Sequence, residues 1–176
     1  KFILGKTIIV LSHISRLTGE LFPIEKIYKK IKQHSSESIF IVDAAQFTGS
    51  NFFDITNCCD AYITTTSKFI GGERHLGIGY ISPELRKKFI PNYLEFDSKT
   101  YIKEIFSAVN EFDNAKFDKT SFKRIKSLRT FLLGELKKIK QIKIVNFPTQ
   151  AVQIVTIQVG NIPETRNLIS EFKKFG

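Results

Sequence analysis

Three short stretches of this 176-residue chain concentrate the side chains that could do chemistry. The first carries His13, Ser15 and Arg16, the second Asp43 and Gln46, and the third runs from Thr64 through Thr65 and Ser67 to Lys68. A carboxylate, a lysine and several hydroxyls brought to one place can serve several purposes, yet each signal is weak when taken singly. An aspartate at a strand end more often bonds nearby backbone amides as a cap or turn former than acts in catalysis. A lone lysine is almost always solvated. The meaning of these residues therefore depends on whether the fold gathers them.

Each stretch follows a short apolar run. Residues 7–12, rich in β-branched types, lead into His13, residues 38–42 into Asp43 and a loop containing Gly49, and residues 61–65 into the turn of Lys68. A fourth run, residues 77–81, leads to Pro83. All four read as strands. Pro23 stands where a helix can begin, with Ile24, Ile27, Tyr28 and Ile31 on one face and Lys29, Lys30 and Lys32 off it. A short helix is expected after Pro83. Strands alternating with helices predict an α/β fold with a mostly parallel sheet and covering helices. Ligands of such open sheets bind beyond the carboxyl ends of the strands, and the three stretches fall at such ends.

From about Asn92 the pattern lengthens into helical periodicity, first over residues 101–112 and then over 119–143. In the second segment Phe122, Ile125, Leu128, Leu132, Leu136 and Ile139 recur at three- and four-residue steps, as an apolar stripe requires. Strands are expected at 142–145 and 152–159, and an amphipathic helix over 163–175. The expected division is residues 1–140 as a large domain with its following helices, and 141–176 as the start of a smaller α/β domain.

With 42% hydrophobic and 25% charged residues the composition is that of an ordinary soluble domain. No stretch approaches the roughly 18 consecutive apolar residues of a membrane span, and Lys1 to Leu4 is too short a run for a signal-peptide core. A cytoplasmic protein is expected. The net charge of +10 is uneven: residues 119–143 hold nine Lys or Arg against one acid, Glu135. Most of those charges lie off the apolar stripe, which reads as a solvated helix face, and no aromatic residues interleave with them as a single-strand binder needs. A basic nucleic-acid module is therefore the alternative and not the expectation. Cys58 and Cys59 are adjacent, which strains any bridge between them, and no spacing suits zinc, so both read as structural thiols. A dinucleotide fingerprint is missing after the first strand, where residues 12–19 contain one glycine.

The whole string carries more than its parts. Val42-Asp43-Ala44-Ala45-Gln46, then residues 60–68 ending Thr65-Thr66-Ser67-Lys68, then Gly77-Ile78-Gly79-Tyr80-Ile81 resemble class V aminotransferases, the group that includes cysteine desulfurases. Residues 12–19 followed by Pro23-Ile24 resemble the same family, and the likeness covers nearly all of the chain. It implies a pyridoxal 5'-phosphate-dependent enzyme acting on an amino acid or amine by transamination, elimination or desulfuration, usually as a homodimer. By that resemblance Lys68 forms the Schiff base with the cofactor and later moves the substrate's alpha proton, which favours a partly buried lysine. Asp43 keeps the pyridine nitrogen protonated, Gln46 donates to the phenolic oxygen, and Thr65 and Ser67 bind the phosphate. His13 and Ser15 lie near the ring's phenolic edge.

The sequence also departs from the pattern. Ser67 stands where cysteine desulfurases usually carry a histidine before the lysine, and residues 73–76 occupy a turn that is shorter in many members. The family's phosphate-anchoring loop, its ring-stacking residue, its substrate-clamping arginine and the desulfurase's mobile-loop cysteine have no counterpart in these residues. The expectation is thus part of a longer enzyme, with a noncatalytic remnant of the fold as the alternative.

Overall fold

The computed structural model describes residues 6–50, 53–70, 76–88, 119–145, 149–151, 153–160 and 170. The helix expected at 101–112, nearly all of the one at 163–175, and residues 73–75 of the turn lie outside the described residues. The chain divides into two compact units, Lys1–Ser15 with Phe22–Asp118 and Arg16–Leu21 with Lys119–Gly176.

In the first unit, strands β1 (Ile8–Ser12), β2 (Ile39–Asp43), β3 (Ala61–Thr65) and β4 (Gly77–Ile81) form one sheet in that order. β1 pairs parallel to β2 and β2 parallel to β3, whereas β3 and β4 are antiparallel. Loop length explains the reversal: a parallel return needs a crossover of about a dozen residues or more, usually a helix, and residues 66–76 are too few to build one and cross back. Helix α1 (Ile24–His34) supplies such a crossover between β1 and β2, and α2 (Pro83–Lys88) follows β4.

Side-chain alternation decides the core. Phe40, Val42 and Tyr62 face α1 and bury with Ile24, Ile31, Ala44, Cys58 and Cys59. On the opposite face Ile8, Val10, Ile63 and Ile81 are all at least 50% exposed. Among the described residues the core has one ionic knot. Asp60 accepts from the Phe40 amide at 2.7 Å and the Tyr28 hydroxyl at 3.2 Å, and pairs with Lys32 Nζ at 2.8 Å, its side chain 8% exposed. Tyr28 and Lys32 stand four apart on α1, so one helical turn delivers both partners.

The second unit holds helix α3 (Lys119–Leu136) and the antiparallel strands β5 (Ile142–Val145) and β6 (Thr156–Val159). The expected strand at 152–159 therefore forms only from Thr156, because the turn at residues 153–155 is held by Arg129 instead. The guanidinium of Arg129 donates to the carbonyls of Ala151 and Ile154 and to Gln150 Oε1. The half-buried stripe of α3 is accordingly Phe122, Ile125, Arg129, Leu133 and Leu136, while Leu128 and Leu132, expected inside, are exposed. The basic helix groups with β5 and β6 in the second unit.

Residues 16–21 join this unit as well. Ala151 N donates to Gly19 O at 2.9 Å and Leu21 N to Thr149 O at 3.1 Å, and Thr156 Oγ1 donates to Thr18 O at 2.7 Å. Gly19 is required twice over: its φ is +71°, and a Cβ there would stand 2.7 Å from the Ile154 side chain. Among the described residues no helix is long and apolar enough to cross a membrane.

Candidate functional site

The carboxyl ends of the first three strands are tied in step. His13 N donates to Asp43 O at 2.8 Å, Ala44 N to Ile63 O at 2.7 Å, and Thr64 Oγ1 to Ala44 O at 3.4 Å. Parallel pairing thus sets the ends of β1, β2 and β3 side by side, and the candidate residues extend from them.

Asp43 is the last residue of β2 and is exposed. Its Oδ1 accepts from Ala45 N at 3.0 Å, which fixes the carboxylate's direction as the chain turns. Gln46 follows, half-buried, in a tight turn where the Phe47 and Thr48 amides donate to Ala44 O at 2.8 and 3.0 Å. The turn closes at Gly49, with φ +84°, where a Cβ would meet the Phe69 carbonyl carbon at 2.9 Å and the Ile70 nitrogen at 3.0 Å. That approach seats the Gln46 loop directly on the turn that carries Lys68.

In that turn Thr66 is buried and both its amide and its hydroxyl donate to Leu76 O, at 3.1 and 3.3 Å. Anchoring Thr66 inward leaves its neighbours outward. Thr65 Oγ1 and Ser67 Oγ lie 3.0 Å apart, with Ser67 N reaching Thr65 Oγ1 at 3.4 Å. Thr65 Oγ1 also donates to Leu76 O at 3.3 Å, which leaves the Ser67 hydroxyl as donor in the pair. Lys68, expected to be partly buried, is exposed, because its turn lies at the outer rim of the sheet. Ser15 is half-buried just past β1, and Arg16 is exposed in the second unit's segment.

His13 has different surroundings from the rest. It is 2% exposed, its ring stacks on Phe47 at 3.8 Å and 9°, and it meets Phe53 edge-on at 4.7 Å. Its Nδ1 lies 2.8 Å from the Tyr62 hydroxyl. Burial lowers its pKa to about 4, so the ring is neutral at pH 7, and the same burial raises that of Tyr62. Sequence reasoning placed His13 at the cofactor's edge and did not foresee this cluster; the signal was the pair Phe47 and Phe53, which flank Gly49 in a loop where exposed aromatics would be costly. Beside the cluster is a cavity of about 300 Å³, lined by Phe47, Phe53, Ile55, Tyr62, Ile78 and Tyr80 among others.

The two thiols are buried and free. Cys58 Sγ donates to Ile55 O at 3.1 Å, and burial pushes Cys59 up to about 12 and Cys58 upward, which makes both poor nucleophiles. Among the described residues no group of three His, Cys, Asp or Glu could hold a metal ion. What the rim offers is a fixed carboxylate, an amide, a hydroxyl pair and a primary amine. That set suits a ligand with a cationic ring nitrogen, an acceptor oxygen, an anionic tail and a carbonyl.

The chain is similar to several known proteins. The model of the aminotransferase class-V family matches residues 4–103. A probable cysteine desulfurase of Mycoplasma genitalium is 29% identical over 111 residues, 63% of this chain and 27% of that protein. Among solved structures, a NifS-like protein superposes with a TM-score of 0.74 at 18% identity, over 95% of this chain and 48% of its own. A C-DES mutant with glycine covalently linked to its pyridoxal-phosphate cofactor gives 0.76 at 19% identity, over 97% of this chain and 52% of its own. A cysteine desulfurase from Thermococcus onnurineus NA1 gives 0.68 at 16% identity, over 94% and 48%. The chain spans about half the length of these structures and 27% of the curated relative. The mostly parallel α/β sheet with covering helices is the fold of these proteins.

Proposed function

We propose, since this chain belongs to the class V aminotransferase family, that it is part of an enzyme acting on an amino acid or amine with Lys68 as the residue that holds the cofactor. The family's cofactor is pyridoxal 5'-phosphate. When bound, that group supplies an electron sink for breaking bonds at the substrate's alpha carbon.

The chain's own residues have distinct tasks in this proposal. Asp43 holds a proton on the ring nitrogen, since a carboxylate there stabilises the positive charge. Gln46 donates to the phenolic oxygen, with Ser15 near the same edge. The hydroxyls of Thr65 and Ser67 bind the phosphate. Lys68 would hold the group through its amine at the aldehyde carbon, the carbonyl oxygen leaving as water, and its amine nitrogen when free would take and return the alpha proton. The first unit is then part of the large cofactor-binding domain, and the second begins the small domain. A cytoplasmic homodimer belongs to the same proposal, and two free buried thiols fit a reducing compartment.

What supports the proposal above all is the seating of the Gln46 loop on the Lys68 turn at Gly49, beside the strand end that carries Asp43. The test is reduction with borohydride after loading with pyridoxal phosphate, followed by peptide mapping. A reduced adduct on Lys68 that vanishes in Lys68→Ala is expected. An adduct spread over other lysines, or none at all, would overturn the proposal.

A further inference from the structure

We infer that His13 is a positioning residue of the proposed site: its buried imidazole locks the loop of Gln46 to the strand that leads to Lys68, while its backbone amide holds the strand end of Asp43. The inference rests on the function proposed above, and it assigns His13 a task other than touching the cofactor.

Three contacts of one residue make the lock. The His13 amide donates to the Asp43 carbonyl at 2.8 Å, continuing the parallel ladder one step past the end of β1. The His13 ring lies flat on Phe47, the residue after Gln46, at 3.8 Å and 9°. Its Nδ1 meets the hydroxyl of Tyr62, three residues before Thr65, at 2.8 Å.

A phenylalanine could fill the same space in an ordinary core, and an unbonded imidazole there would be unfavourable. The bond to Tyr62 supplies what packing cannot. Stacked rings slide and rotate over one another at little cost, whereas a hydrogen bond to a fixed hydroxyl sets the imidazole's rotation about its own axis. The plane of Phe47 is then set too. Because the Phe47 amide is bound to Ala44 O at 2.8 Å, the turn between Ala44 and Phe47, with Gln46 in it, has little freedom left. The neutral ring has one donor and one acceptor nitrogen, so Nδ1 and the hydroxyl bond in either tautomer. In the one tautomer Tyr62 donates, and in the other it accepts.

The experiment uses the full-length protein and compares His13→Phe, Tyr62→Phe and the double variant. Tyr62→Phe removes a single hydroxyl and leaves both rings in place. Three quantities are read: the dissociation constant for pyridoxal phosphate, the circular dichroism induced in the bound cofactor's band, and the unfolding midpoint of the cofactor-free protein. Each single variant is expected to weaken cofactor binding about tenfold and to diminish the induced band, and the double variant to add little further, as one shared interaction requires. Lower unfolding midpoints with wild-type affinity and an unchanged band would reduce the pair to packing and overturn the inference. The borohydride test separates this failure from that of the proposed function: a Lys68 adduct that forms normally with unchanged affinity in all three variants sinks the His13 assignment alone. A wild-type protein that forms no Lys68 adduct sinks the function on which the assignment rests.

Discussion

Asp60 and Asp43 belong to one sheet, one just before β3 and the other at the end of β2, and their surroundings could hardly differ more. Asp60 is buried, and its two oxygens are taken by the Phe40 amide, the Tyr28 hydroxyl and Lys32. Asp43 is exposed at the carboxyl end, and its carboxylate is steered by one bond, from Ala45 N. The buried carboxylate is closed to a ligand by burial and by its three partners, and losing it would strand a buried amide. The exposed one is held in direction while retaining lone pairs for something else. A saturated polar group marks architecture, and an oriented but unsaturated one marks a place where chemistry can be added.

The most severe way to break this contrast is Asp60→Ala, which leaves Lys32 without its ion-pair partner and the Phe40 amide unsatisfied. The expected loss is about 3–5 kcal/mol of folding stability, read from urea denaturation. Tolerance of the change within about 1 kcal/mol would show that the knot is incidental. Next in size is the response to acid. The His13 pKa is about 4 in the folded chain and 6.5 without burial. Between those values the unfolded chain binds more protons, so the stability due to this group is complete above about pH 6.5 and falls as the pH drops towards 4. The loss amounts to about 3 kcal/mol, and His13→Phe should flatten that part of the urea-midpoint profile.

Gly49→Ala comes third. It strains a residue at φ +84° and drives a methyl into the Phe69 backbone. A cost of about 1–3 kcal/mol is expected, together with weaker cofactor binding, since the two loops must move apart. The smallest stability effect and the sharpest test of the contrast is Asp43→Ala. It should cost at most about 1 kcal/mol in unfolding experiments, the size of one local turn bond. Pyridoxal phosphate titrated against the same variant should bind much more weakly than to the parent. If stability falls as far as in Asp60→Ala, Asp43 is architecture too.

The strands were legible in the sequence because short β-branched runs ended in turn residues, and α1 because its apolar residues recur at helical spacing. The direction of β4 was not in the periodicity at all; it lies in the length of residues 66–76. The stripe of α3 was misread at Arg129, whose charge suggested solvent while its guanidinium serves three acceptors in a turn remote in sequence. Asp60 escaped notice for the same reason. A carboxylate's partners are supplied by tertiary structure, here by a helix and a neighbouring strand, and no local spacing announces them. The candidate site was legible as an ordered set of residues, whereas His13 took its place from ring packing that only the folded chain reveals.

The excursion of residues 16–21 into the second unit has a consequence for how the protein is made. On the ribosome the backbone groups these residues pair with at Thr149 and Ala151 arrive only after more than a hundred further residues have been added. Until then the segment's ladder has no partner, while the flanking β1 and α1 can already dock. Contacts so distant in sequence close slowly, which makes completion of the second unit a late step in biogenesis. A ribosome that stalls short of residue 150 would therefore release a chain in which residues 16–21, far upstream of the stall, are unfinished as well.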